Sequence, residues 1–299
     1  MDTAYILQQL LNGLILGAMY ALVAIGFSMI YGIVRLINFA HGDIVMIGAF
    51  STLFLMEKAG ALSFPVIALV VLVIGSLTGM LIERTSFRPM RGAPQVTGFI
   101  ASLGVSIMIQ NLGILILSAQ PRNFSFPSYM QTMIQAGPVS FRVVDLVILV
   151  SAVVLMVLLL LLVKKTRLGI AMRATAENLD VARLMGININ RTIMATFAVG
   201  SGLAGMAGLM WGGKFGQIDP LMGYIPGLKS FVAAVIGGVG SIPGAILGGF
   251  ILGICEIAFV GFLPPIYASY RDAFVFATLI IILIALPNGL LGKDMEERA

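Results

Sequence analysis

The chain has 299 residues, of which 59% are apolar and only 10% are charged, and its mean hydropathy is +1.05. Soluble domains carry about 25% charged residues, so this composition excludes an ordinary soluble protein and predicts an all-α polytopic membrane protein. The single cysteine, Cys255, excludes an intramolecular disulfide and a cysteine-based metal cluster, and the net charge of +5 indicates a membrane orientation and no nucleic-acid partner.

Eight apolar segments follow one another along the chain, and each approaches or exceeds the length needed to cross a membrane. Their predicted ranges are 6–34, 39–56, 62–82, 96–118, 143–163, 192–211, 228–260 and 273–287. The connections between them are too short to bury a core of their own. We therefore expect a single transmembrane domain over residues 1–299 and no soluble domain.

The seventh segment, 228–260, contains the run GGVGSIPGAILGG. Glycine and proline both destabilise helices, so a continuous helix through Gly237, Gly238, Gly240 and Pro243 is not expected. Non-helical backbone is tolerated in a membrane only where protein or a water-filled cavity surrounds it. We predict a broken helix with non-helical backbone over 237–244, and nine crossings if both pieces cross the membrane.

The longest stretch without membrane character is TRLGIAMRATAENLDVARLMGININ, at residues 166–190. Residues 171–185 contain no glycine or proline and are rich in Ala, Leu and Met, which predicts a short helix. Four basic residues in and before this loop predict that it lies on the cytoplasmic side of the membrane. They are Lys164, Lys165, Arg167 and Arg173. Alternating crossings then place the N-terminus outside and the C-terminus inside. The helix is either a docking element for a cytoplasmic partner or an ordinary loop helix.

Polar side chains occur at only a few places within the apolar segments. Asn38, His41 and Asp43 stand at the start of the second segment, where they either line the inner mouth of a pathway or cap a helix. His41 is the only histidine, so a metal site is not expected there. Glu256 lies in the middle of an apolar run, and we expect it to make a hydrogen bond between packed helices.

Three motifs in combination resemble the integral-membrane permease of the branched-chain amino acid ABC importers, the LivH type. They are INFAHGDIVMIGAF in the second segment, RATAENLDVARLMGIN in the loop, and GGVGSIPGAILGGFILGICE near the end. The similarity extends over essentially the whole chain. In that family a short cytoplasmic coupling helix docks in a groove on the ATPase subunit, which favours the docking interpretation of the loop.

The resemblance also implies which residues carry the function. Glu177 and Gly186 take the places of the acidic residue and the glycine in a diverged permease EAA loop. The implied contacts with the ATPase, within a coupling loop at 166–190, are Ala176, Glu177, Asp180, Arg183 and Gly186. Residues that are candidates for the translocation pathway are Asn38, His41, Asp43, Gly237, Gly238, Gly240 and Pro243.

The resemblance implies an assembly in the bacterial inner membrane. Its other members would be a homologous second permease (LivM-like), two cytoplasmic ATPase subunits and a periplasmic substrate-binding protein. The chain contains no Walker A sequence, GxxxxGK[ST], so we expect ATP and Mg²⁺ on the partner subunits, with no cofactor and no enzymatic activity in this chain.

Two alternatives remain open from the sequence. Related permeases move urea, short amides or other amino acids, and the apolar segments do not separate these solutes. A self-contained secondary transporter or channel is the other alternative, because broken helices are typical of that class too. An enzyme is disfavoured, since no paired carboxylates, Ser/His pair or histidine cluster is present.

Overall fold

The computed structural model describes residues 3–58 and 63–292. Its helices are α1 (Thr3–Val34), α2 (Asp43–Lys58), α3 (Phe64–Ile82), α4 (Gln95–Leu117), α5 (Ser128–Gln131), α6 (Val143–Lys165), α7 (Arg167–Glu177), α8 (Leu179–Leu184), α9 (Ile189–Phe215), α10 (Tyr224–Gly237), α11 (Ile242–Phe262) and α12 (Arg271–Ala285). Short 3-10 helices occupy Phe39–His41 and Pro265–Tyr270, and π-helical backbone continues α3 over Glu83–Phe87.

Four short strands form two small antiparallel sheets. They are β1 (Arg122–Asn123), β2 (Met133–Ala136), β3 (Val139–Arg142) and β4 (Gln217–Ile218). β1 pairs with β4, and β2 pairs with β3 as a hairpin. The strands all lie in connections between long helices, so the membrane-spanning part of the described chain is helical.

The ion pairs and sheets identify two ends of the helical bundle. At one end the side chain of Gln8 exchanges hydrogen bonds of 2.9 and 2.8 Å with the backbone of Ser140 in β3. Lys214, near the end of α9, forms an ion pair of 2.6 Å with Asp145, at the start of α6. We name this the hairpin end. The opposite end carries α7 and α8 and is named the α7–α8 end.

Eight helical segments in the described residues are long and apolar enough to cross a membrane, which confirms the predicted all-α polytopic class. Residue 62, the predicted start of the third segment, lies outside the described residues. α10 is too short to be a ninth crossing, because its 14 residues extend about 21 Å and a hydrocarbon core is about 30 Å thick.

The predicted break in the seventh segment is confirmed, but it is narrower than expected. Only residues 238–241 are non-helical, and Gly237 is the last residue of α10. Pro243 lies in the first turn of α11, where its missing N–H removes no helical hydrogen bond. The prediction of non-helical backbone up to residue 244 is therefore wrong, because the Ser241 side chain caps α11 by accepting from the backbone N–H of Gly244.

Glycines bring α1 and α11 into backbone contact. Gly13 and Gly17 of α1 face Gly249 and Gly253 of α11, and a Cβ on Gly17 would lie 2.8 Å from the Cα of Phe250. Each pair is a GxxxG spacing, which places two small residues on one face of a helix. The close contact shows that these glycines serve helix packing.

Two connections enter the bundle from opposite ends and meet inside it. The side chain of His41 packs against Gly26, which lies about 12 Å from the end of α1. A Cβ on Gly42, just before α2, would lie 2.7 Å from the carbonyl oxygen of Gly223 and 2.9 Å from the Cα of Gly227. The N-termini of α2 and α10 therefore adjoin each other within the bundle.

Candidate functional site

The predicted cytoplasmic helix is two helices. Asn178 has extended backbone (φ −154°), which ends α7, and its side-chain Oδ1 accepts hydrogen bonds from the backbone N–H groups of Asp180 and Val181, which starts α8. The prediction of one helix over 171–185 is therefore wrong. The helix breaks at Asn178 because an asparagine side chain competes with helical hydrogen bonds and stabilises the N-terminus of a new helix.

Gly186 ends α8. Its φ of +81° is a left-handed conformation that an L side chain rarely adopts, and its N–H donates to the carbonyl of Arg183 at 3.0 Å. The next N–H, of Ile187, donates to the carbonyl of Ala182. Asn188 then caps α9 by accepting from the backbone N–H of Arg191. Asn178, Gly186 and Asn188 thus fix three helix ends within eleven residues, so α8 is a short helix with well-defined ends.

Most of the predicted coupling residues lie on the surface. Glu177, Asp180, Arg183 and Gly186 are exposed, and Ala176 is half-buried. The most exposed apolar side chains of α8 and its C-terminus were not predicted as contacts. They are Leu184, with 86% of its surface exposed, and Met185, with 78%. Their apolar character in a loop that is otherwise polar was the sequence signal that could have identified them as contacts.

The predicted pathway residues at the start of α2 are buried. Asn38, His41 and Asp43 are at most 2% exposed, so they line no open channel in this conformation. Asn38 makes no capping hydrogen bond, and neither polar atom of its side chain has a partner among the described residues. The alternative that Asn38 serves as a helix cap is therefore wrong. Asp43 accepts a hydrogen bond of 3.0 Å from Gln110 of α4, which ties two helices together.

The broken helix and the loop that carries α7 and α8 meet at one cavity. This cavity, of about 430 Å³ at the α7–α8 end, is lined by Ala176 and Glu177 together with Gly240 and Pro243. The N–H of Gly240 also donates to the hydroxyl of Ser28 in α1 at 2.9 Å. Two groups of residues that were predicted separately, one for coupling and one for the pathway, therefore lie side by side.

The chain segment after α12 covers the other two glycines that were predicted for the pathway. Gly237 and Gly238 are buried, and Gly238 has a φ of +100°. The backbone N–H groups of Leu290 and Leu291 donate to the carbonyls of Ile236 and Gly237, each at 2.9 Å. These hydrogen bonds satisfy two carbonyls at the end of α10, where a helix has no partners of its own.

A network of ionisable side chains lies within the apolar helices near the hairpin end. Lys229 of α10 donates to Glu256 of α11 and contacts Asp272 of α12, both at 2.7 Å. Arg271 approaches Glu256 at 3.2 Å, and Tyr20 of α1 donates a hydrogen bond of 2.8 Å to the same carboxylate. We name these five residues the ionic network. It joins α1 and α10 to the last two spans.

The sequence prediction for Glu256 was incomplete. The expected interhelical hydrogen bond is present, with Tyr20 as the donor, but Glu256 is also the partner of two cations. Lys229 was not predicted, although an ionisable residue in an apolar segment is rare and usually functional. At 2% and 3% exposure, Lys229 and Glu256 are stable as charges only because they are paired.

A cavity of about 650 Å³ adjoins the ionic network at the hairpin end. All five residues of the network line it, and so do Lys214 and Asp219. Its apolar lining includes Leu16, Trp211, Ile225, Ile257 and Val260. We name it the hairpin-end cavity. It combines charged groups of both signs with an apolar wall, which is the composition expected of a site for a small amphipathic solute.

Known proteins resemble the chain over nearly its full length. It is 38% identical to the high-affinity branched-chain amino acid transport system permease protein LivH of Escherichia coli K12, over 98% of each chain. It is also 38% identical to the corresponding BraD of Pseudomonas aeruginosa, over 98% of this chain and 97% of that relative. A probable branched-chain amino acid transport permease protein, LivH of Methanocaldococcus jannaschii, is 27% identical over 97% and 94%.

No solved structure matches the chain. The family described as the permease component of the branched-chain amino acid transport system matches residues 9–283. This match reaches all eight long helical segments of the described residues, and it includes the ionic network and both α7 and α8. The chain therefore belongs to the family of branched-chain amino acid transport permeases.

Proposed function

We propose that this chain is the permease subunit of an ABC importer for branched-chain, aliphatic amino acids. The observation that carries the proposal is the 38% identity to LivH and BraD over practically the entire chain. A homologous second permease completes the pathway, two ATPase subunits supply the energy, and a periplasmic binding protein delivers the solute. The alternative solutes are urea, short amides and other amino acids.

The distribution of basic residues supports an orientation in the bacterial inner membrane. The α7–α8 end carries Arg35, Arg84, Arg88, Arg91, Lys164, Lys165, Arg167, Arg173, Arg183 and Arg191. The hairpin end carries Lys58, Arg122, Arg142, Lys214 and Arg271. Lysine and arginine accumulate on the cytoplasmic side of membrane proteins. The α7–α8 end is then cytoplasmic, the N-terminus is periplasmic, and the C-terminus is cytoplasmic.

The two-helix loop is the proposed contact with the ATPase. α8 projects Leu184 and Met185, and burying such side chains against a partner contributes about 1.5–3 kcal/mol each. Exposed charges surround them at Asp180 and Arg183, which would fix the orientation of docking. Because α7 follows α6 directly and α8 leads into α9, a displacement of α8 acts on two spans at once.

The cavity shared by Glu177 and Gly240 extends this coupling toward the pathway. A movement of α7 changes the packing at residues 238–241, because these residues lie outside both helices and Val239 and Gly240 are exposed. Gly237 and Gly238 lie at the same break, and Pro243 begins the next helix. Asn38, His41 and Asp43 lie further inside the bundle and reach the pathway only when helices separate.

Reconstitution in liposomes tests the proposed function. The chain with its second permease, ATPases and binding protein should accumulate leucine only in the presence of ATP, and the chain alone should not. Leucine uptake by the isolated chain without ATP would favour a self-contained carrier. Helix N-termini that adjoin inside the bundle, as those of α2 and α10 do, are also typical of that class. Uptake of urea in place of leucine would assign a different solute.

A further inference from the structure

The hairpin-end cavity holds one acidic group that the ion pairs leave unbalanced. Within the described residues, Glu256 and Asp272 are paired with Lys229 and Arg271, and Lys214 is paired elsewhere, with Asp145. Asp219 is half-buried on the cavity wall and has no cationic partner in that part of the chain. Its Oδ1 accepts a hydrogen bond of 2.9 Å from the backbone N–H of Leu221, which holds the carboxylate in place.

The cavity also holds a guanidinium group with donors to spare. Arg271 is 48% exposed on its side chain, and within the described residues its contacts with Glu256 and Asp272 use only Nε. A guanidinium presents its remaining N–H groups as a planar fork that matches the two oxygens of a carboxylate. Arg271 can therefore bind a solute carboxylate without giving up its place in the ionic network.

The apolar wall supplies the third feature. Leu16, Ile257 and Val260 lie on α1 and α11, and Trp211 contributes a large ring from α9. An aliphatic side chain that enters this space leaves water for apolar surroundings, which is favourable in proportion to the area buried. One cavity therefore has a carboxylate, a guanidinium group and an apolar wall. These match the ammonium group, the carboxylate and the side chain of an aliphatic amino acid zwitterion.

We propose that the hairpin-end cavity is a substrate site that binds the zwitterion of an aliphatic amino acid. Arg271 receives the α-carboxylate, Asp219 receives the α-ammonium group, and the side chain packs on Leu16, Trp211 and Ile257. The site lies at the periplasmic end, where the binding protein delivers its solute, so this inference rests on the proposed function. It also explains the ionic network, which holds Arg271 against Glu256.

Equilibrium binding of radiolabelled leucine tests the site. The permease pair with its ATPases is placed in nanodiscs without the binding protein, and each variant is measured beside the wild type. Saturable binding is expected for the wild type. Arg271→Gln and Asp219→Asn should each weaken it by about tenfold or more, because each removes one charge-assisted contact. Asparagine at 219 keeps the oxygen that accepts from Leu221.

Arg122→Gln is the matched control, because Arg122 is an arginine at the same end of the bundle that does not line this cavity. It should bind leucine as the wild type does. Two leucine analogues test the two charges separately, since isopentylamine lacks the carboxylate and 4-methylpentanoate lacks the ammonium group. Each should compete at least about tenfold more weakly than leucine.

The outcomes separate this site from the proposed function. A wild-type complex that imports leucine with ATP and binding protein, but shows no saturable binding, overturns the site alone. Equal leucine binding by both variants and the wild type has the same consequence. Absence of ATP-dependent uptake by the wild type overturns the proposed function. If Arg271→Gln does not assemble on size exclusion, Asp219→Asn and the two analogues decide.

Discussion

At the residue scale, the pairing of Lys229 with Glu256 accounts for two charges that the apolar helices would otherwise exclude. Moving one unpaired charge into low-dielectric surroundings costs several kcal/mol, and the pair offsets this through short contacts and the hydrogen bond from Tyr20. Asp272 and Arg271 complete a network of two cations and two anions, so the four charges balance.

Removing one partner of this pair should be strongly destabilising. Lys229→Met leaves Glu256 buried without its shortest cationic contact, and we expect a loss of about 3–5 kcal/mol in unfolding free energy. The measurement is denaturation in detergent followed by tryptophan fluorescence. Lys229→Met combined with Glu256→Gln should recover part of the loss, whereas Lys58→Met, at an exposed position, should cost little. Equal stability of Lys229→Met and the wild type would contradict this account.

At the element scale, helix contacts depend on small residues where two backbones approach. Gly17 of α1 and Gly253 of α11 leave no room for a Cβ, and neither residue adopts an unusual backbone conformation. Their role is therefore steric. In a membrane, apolar side chains gain little by leaving lipid for another helix, so close packing of this kind is a main source of stability between spans.

Gly253→Leu should prevent α1 and α11 from packing. The new side chain would overlap the backbone of Gly17, which cannot move without displacing a helix with 32 residues. We expect loss of monodisperse protein on fluorescence-detected size exclusion. Gly104→Leu in α4 is the matched control, because a Cβ there meets nothing within 4 Å. A sharp, wild-type elution peak for Gly253→Leu would show that the two helices are not packed as described.

α8 is the element that should bind the ATPase. Replacing Leu184 and Met185 together by serine removes the apolar tip, and we expect at least about tenfold less ATPase copurified per permease. Met133→Ser is the matched control, since Met133 is 60% exposed but lies at the hairpin end. Wild-type recovery of the ATPase and wild-type leucine-stimulated ATP hydrolysis in the double variant would place the coupling contact elsewhere.

At the scale of the whole molecule, the bundle has two chemically different ends. The hairpin end holds both small sheets and the mixed-charge cavity, and the α7–α8 end holds most of the basic residues. The half-length helix α10 connects them, because Lys229 joins the ionic network and Gly237 ends the helix just before residues 239–243, which line the cavity at the α7–α8 end. A displacement at one end therefore has a direct structural route to the other.

Cysteine labelling tests the orientation of these ends. In a Cys255→Ala background, Ser125→Cys lies in an exposed loop at the hairpin end, and Asn178→Cys lies between α7 and α8. An impermeant thiol reagent should label position 125 in intact cells with a permeable outer membrane. Position 178 should react only after the inner membrane is opened. The opposite pattern would reverse the topology.

The amino-acid sequence alone determined the class and the family, whereas the choice between eight and nine crossings needed the length of α10. Long apolar runs with few charges can satisfy their backbone groups in lipid only as helices, so the class follows from local composition, and the family follows from three sequence motifs. The glycine-rich break at 238–241 and the end of α8 at Gly186 were also predictable, because glycine and proline act through the backbone of their own residue.

Only the tertiary structure decided which distant residues meet. Tyr20, Lys229, Glu256 and Arg271 lie on four different helices, and no spacing along the chain reveals that they form one network. The same is true of the cavity that joins Glu177 to Gly240. The break at Asn178 was missed because its side chain can either continue or cap a helix, and surrounding contacts decide between the two. Periodicity and composition report on neighbours along the chain, whereas ion pairs and cavities depend on how helices pack.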